Sequence, residues 1–200
     1  YAVASEVVES KLFPLTEALT TENRILFDEH IFSLHIYEME KVVDPDFINQ
    51  NVSGLGVGKE LFGQFYDLSA GGSTDFRSGN AAFHEMLITD DTKKILSKYD
   101  QTGYASDHLP NYTGAYSGAD VMPLIRIPEM YYIMSEALLA TGNAEGAMEY
   151  LDAVVDARGM EKFADRTPLV DITLSDIMVE RRKEFIGEGQ WWFCLKRLNS

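Results

Sequence analysis

The sequence predicts a mostly α-helical protein of tetratricopeptide-like helical hairpins, with long irregular loops and little strand. Three observations carry that expectation. Two amphipathic patterns between residues 123 and 161 are joined by the tight Thr141-Gly142-Asn143 turn, a capped helical pattern starts at Thr173, and glycine-rich stretches at 44–80 and 100–120 break regular structure. The 200 residues are 46% hydrophobic and 12% aromatic, enough to bury a core. A formal charge of -15 repels phosphate backbones and anionic headgroups, so nucleic acid is excluded as a partner. No apolar run reaches the roughly 18 to 20 residues of a membrane span.

In chain order, Ala2 to Leu19 reads as a helix with Val3, Val7 and Val8 on one side. A chain that opens inside a helix predicts a piece of a longer protein, truncated at both ends, with residues 1–22 closing a preceding repeat and any targeting signal lying outside. From Glu29 to Tyr37, Phe32, Leu34 and Ile36 alternate with Ile31, Ser33 and His35, which predicts a short extended segment. Residues 23–122 otherwise form a loop-rich region with a short helix at Lys59 to Tyr66. In the hairpin at 123–161, Ile127, Met130, Tyr131, Met134, Ala137 and Leu138 make one helical face; Ala144, Ala147, Met148, Leu151, Val154 and Val155 make the other, with Ala137 and Ala147 allowing close approach. A unit of roughly 34 residues is the tetratricopeptide period. The last region, 173–200, is a helix from Leu174 to about Ile186, capped by Thr173 with Asp176, followed by Gly187, Gly189 and the apolar run Trp191-Trp192-Phe193, expected to be buried.

Glu180, Glu184 and Glu188 recur every four residues, a repulsive spacing on an isolated helix. They suit general acid–base work as in glycoside hydrolysis, or an ion-pair network with Arg126, Arg158 and Arg197 as the cations; the neighbouring Arg181 and Arg182 favour the network. His30, His35, His84 and His108 lack metal-ligand spacing, so no metal or other cofactor is expected. Cys194 reads as an inert buried thiol, and Gly54-Leu55-Gly56-Val57-Gly58 lacks the strand and the Lys-Ser/Thr ending of a phosphate loop. The loop aromatics Phe65, Tyr66, Phe76, Tyr104, Tyr112 and Tyr116 suit stacking on a sugar face, although for any individual tyrosine anchoring its own loop is the favoured reading.

These residues carry a family resemblance. Met122 to Tyr131 (MPLIRIPEMY) with Ser135-Glu136-Ala137, and Glu180-Arg181-Arg182-Lys183-Glu184-Phe185 with Glu188-Gly189, Trp192, Leu195, Lys196 and Arg197, resemble two blocks of the SusD/RagB family of outer-membrane nutrient-binding lipoproteins. Weaker echoes are Glu29 with Ile31-Phe32-Ser33, Asp75-Phe76-Arg77 and Lys98-Tyr99. The resemblance implies a non-enzymatic glycan-binding protein on the cell surface that delivers oligosaccharides to a TonB-dependent transporter, with a lipid anchor outside this segment. It implies structural roles for Arg126, Glu129, Glu136, Glu180, Arg181, Glu184, Glu188, Trp192 and Arg197 but carries over no ligand-binding residue; the candidates for ligand contact remain the loop aromatics Tyr66, Phe76, Tyr104, Tyr112 and Tyr116, read from their residue type and position. Trp191 and Cys194 replace an Arg and an Asp of the family pattern, which predicts apolar surroundings for both. The alternatives are a helical-repeat scaffold for a protein partner and an α-helical carbohydrate-processing enzyme.

Overall fold

The computed structural model describes residues 1–43, 56–70, 72–88, 91–100, 120–169 and 171–199. In chain order its elements are α1 (Ala2–Glu9), β1 (His30–His35), α2 (Met39–Val43), β2 (Gly56–Gly58), α3 (Lys59–Phe65), β3 (Phe83–Ile88), β4 (Asp91–Leu96), β5 (Val121–Arg126), α4 (Ile127–Ala140), α5 (Ala144–Ala157), α6 (Leu174–Glu184) and α7 (Gln190–Leu198). Helix predominates, as expected, and the strands pair as β1-β5 and β2-β4-β3. The chain divides into two compact units: one holds Tyr1–Glu17, Asp28–Phe32 and Leu124–Ser200, the other Ala18–Phe27 and Ser33–Pro123.

The first unit is built on the α4–α5 hairpin. Pro128 pre-sets the first turn of α4, and Gly142 at φ 83 ends it. Asn143 then caps α5, its side chain accepting from the Gly146 amide at 3.0 Å, so the chain reverses within three residues. The expected α5 face is the buried one, with Ala147, Leu151, Val154 and Val155 inaccessible to solvent. On α4 the face is rotated from expectation. Tyr132, Met134 and Ser135 are buried, whereas Tyr131 and Leu138 only flank the core. The small residue at the crossing is Ser135, which donates to the Ala147 carbonyl at 2.7 Å and so hides its hydroxyl between the helices. Alanine at Gly142 would meet no atom within 4 Å, so Gly142→Ala should cost only the left-handed strain, about 1 kcal/mol in chemical denaturation.

Three expectations for this unit change. The α1 helix stops at Glu9 rather than Leu19, because the Ser10 hydroxyl takes the Val7 carbonyl at 2.7 Å, Lys11 turns to φ 55, and Pro14 follows. Val3 is 75% exposed; Ala4 carries the contact instead. Residues 123–126 belong to β5, not to the hairpin: Val121 and Pro123 are buried on either side of half-buried Met122, and Arg126 is buried at the strand's end before Ile127 starts the helix. The α6 helix keeps the full capping box between Thr173 and Asp176 but ends at Glu184, ahead of Gly187 at φ 77.

In the second unit the predicted helix appears at Lys59–Phe65, beside a β3–β4 hairpin that loop composition concealed. Phe83 pairs with Leu96 and Ile88 with Asp91, while β2 adds to β4 through Gly56 opposite Ile95. Phe62, Tyr66 and Phe83 fill the space between α3 and this sheet. A Cβ on Gly72 would lie 1.6 Å from the Tyr66 carbonyl oxygen, so only glycine lets that backbone pass. Asp75 caps the next turn and holds the buried Arg77 guanidinium at 2.8 Å. A separate cluster joins Ile25, Met39, Val43, Tyr99 and Val121.

His84 on β3 lies 2.8 Å from the Ser97 hydroxyl. Burial pushes its imidazole below the ordinary value, against a smaller pull from Asp100. The folded protein therefore binds this proton less readily than the unfolded chain. The His84 contribution to stability is complete above about pH 6.5 and is lost as pH falls toward the lower folded value. An NMR titration should place the His84 midpoint below about 6.5; a midpoint at or above it would refute this environment.

Candidate functional site

The strongest concentration of chemistry is a buried ion cluster in the first unit. Glu29 ends a short 3-10 turn, Arg126 closes β5 at the start of α4, and Arg158 caps α5. Glu184 ends α6, and Glu188 lies in the glycine turn before α7. Arg126 donates to Glu29 at 2.8 Å, to Glu184 at 2.8 Å and to Glu188 at 2.8 Å, and also to the Glu184 carbonyl at 2.8 Å. Arg158 donates to Glu29 at 2.9 Å, to both Glu184 oxygens at 2.9 and 3.0 Å, and to the Thr16 carbonyl at 2.6 Å. The side chains of all five residues are at most 1% exposed.

Burial alone would pull the Arg126 guanidinium down; Glu188, Glu184 and Glu29 more than reverse this and hold it well above its ordinary value. Arg158 is raised in the same way, burial opposing and Glu184 and Glu29 prevailing. Glu184 and Glu188 thus spend their lone pairs on guanidinium groups away from solvent. The acid–base reading needs carboxylates open to a substrate, and this geometry gives an ion-pair network in its place.

The network differs in membership from the expected one. Glu180 bonds Lys183 at 2.7 Å within α6, both side chains buried. Arg197 forks onto Glu136 of α4, with one bond of 2.9 Å, and Arg181 reaches Glu129 at 2.6 Å. The extra carboxylate is Glu29, far away in sequence and signalled there only by a weak family echo.

On α7 the aromatic run is split, which corrects the expectation that all of it is buried. Trp191 packs against the hydrophobic core with Arg182 5.5 Å over its ring, and Cys194 is 5% exposed with its sulfur 3.5 Å from that of Met178. Both replacements of the family's charged pair therefore meet apolar neighbours. Trp192 and Phe193 are 61% and 71% exposed. A helix turns about 100° per residue, so three consecutive rings cannot share one face.

Beside them runs a groove of about 820 Å³ between the end of β5, α4 and α7. Its apolar lining includes Leu124, Ile125, Ile133, Ala137 and Phe193, and the Glu129–Arg181 and Glu136–Arg197 pairs border it. Of the expected ligand residues, Tyr66 is fully buried, its ring 4.9 Å from those of both Phe62 and Phe65, so it anchors its own segment. Phe76 is half-buried on another turn, and Tyr104, Tyr112 and Tyr116 lie outside the described residues.

The SusD family's sequence model matches residues 51–200, three quarters of the chain. This chain belongs to the SusD family. Among solved structures, this SusD-family chain resembles a candidate sugar-binding protein from Bacteroides vulgatus ATCC 8482, with 19% identity and a TM-score of 0.52. The likeness covers 80% of this chain and 32% of that one, so the SusD-family chain spans about a third of its solved neighbour and shares its fold there. No curated protein matches it. Arg126, Glu184 and Glu188, which the family blocks singled out, are thus the residues that lock β5, α4, α6 and the α7 turn together.

Proposed function

We propose that this SusD-family protein binds glycans at the outer-membrane surface, without catalysis, and delivers them to a TonB-dependent transporter, held at the membrane by a lipid anchor. The observation that carries this reading is the family match over residues 51–200, taken with the enclosure of Glu184 and Glu188 in the buried network. The candidate sugar-binding character of the solved neighbour supports it. A surface attachment is compatible with the helices, since none among the described residues is long and apolar enough to cross a membrane. Isothermal titration with neutral oligosaccharides tests the binding, and a reducing-end assay on the same mixtures tests the absence of cleavage. Heat of binding with no new reducing ends is the expected result; release of reducing ends would overturn it.

A further inference from the structure

Resting on the glycan-binding reading, we propose that the groove between β5, α4 and α7 seats sugar rings of a neutral oligosaccharide, with Phe193 as the stacking face. The volume, about 820 Å³, lies within the range of small-ligand sites and exceeds what one hexose occupies, so a short stretch of chain fits. Phe193 extends from α7 71% exposed, and Gln190 one turn before it and Arg197 one turn after it line the same groove. Gln190 is held in place by donating to the Leu124 carbonyl at 3.1 Å, which ties the start of α7 to β5. The platform is thus fixed to a rigid element and not to a loop.

The polar groups decide the ligand chemistry. Glu136 and Arg197 close on each other, as do Glu129 and Arg181. These four charges are already met by opposite ones, so a charged ligand would find no uncompensated counter-charge on this rim. A hydroxyl adds to such a pair without breaking it, because it accepts from an outward guanidinium N–H while donating to a spare carboxylate lone pair. Arg197 retains 52% side-chain exposure and can make that approach. The apolar floor of Ile125, Ile133 and Ala137 then meets the C–H face of the ring. A polyol with one apolar face matches this floor and rim better than an ion does.

The test titrates the wild-type chain, Phe193→Ala and Phe193→Trp with maltohexaose, cellohexaose, xylohexaose and mannohexaose by isothermal calorimetry. Because Phe193 is exposed, its truncation leaves the core intact, which far-UV circular dichroism verifies. At least one sugar should bind wild type; Phe193→Ala should weaken that binding about tenfold or more, and Phe193→Trp should restore it. Wild-type binding that Phe193→Ala leaves unchanged overturns the groove and spares the glycan-binding function. No binding to wild type overturns both. If wild type self-associates on size-exclusion chromatography and Phe193→Ala abolishes that association without any effect on sugar, the groove seats a protein surface and the proposal fails.

Discussion

Arg158→Met should cost about 3–5 kcal/mol of folding stability, read as a lower urea midpoint with an unchanged slope. Met reproduces the unbranched stem but stops short of the guanidinium, so the stem packing survives and the loss comes from the missing charged head group. Arg158 is fully buried, and its guanidinium serves Glu29, Glu184 and the Thr16 carbonyl together. Without it, Glu29 and Glu184 must share Arg126, which already serves Glu188. Carboxylates left in a dry site with too few cations carry a large desolvation penalty. Arg158→Lys keeps the charge but lacks the planar fork and should fall between the two. A Met variant that unfolds at the wild-type midpoint would show that the cluster contributes nothing.

Leu151→Ala should cost about 2–5 kcal/mol by the same measurement, toward the upper end of that range. Leu151 is completely buried within the cluster formed by Tyr132, Ala147, Val154, Val155, Ile177 and Phe185. Its neighbours belong to α4, α5, α6 and the turn after α6, all restrained by the ion network, so the site cannot readily collapse into the space left. Leu151→Met fills most of that volume and should cost less than about 1.5 kcal/mol. A Leu151→Ala variant as stable as wild type would mean that the hairpin is not packed as described.

Several short-range rules could be read directly, although the early end of α1 at Ser10 could not. The Thr173–Asp176 capping box, the Gly142 turn and the α5 face follow from contacts three or four residues apart, and each appears as expected. The β3–β4 hairpin was not legible, because its alternation is weak and strands are stabilised by partners the local pattern does not name. The Ser135 crossing was missed because periodicity ranks apolar residues and overlooks a small hydroxyl with a carbonyl waiting across the interface.

The acid-rich segment at the C-terminal end divides the two kinds of knowledge. Sequence alone determined that Glu180, Glu184 and Glu188 crowd one stretch, need cations, and carry a SusD-family pattern. Only the tertiary structure decided that Glu184 meets Arg126 and Arg158 and Glu188 meets Arg126, that Glu29 joins these arginines from 97 and 129 residues away, and that Glu180 and Arg197 find other partners. It also decided that Trp191 and Cys194 face inward while Trp192 and Phe193 face out. The reason is physical: like-charge spacing is a local quantity, but the choice of counter-ion and the side of a helix that is covered depend on elements brought together by burial, which no local pattern encodes.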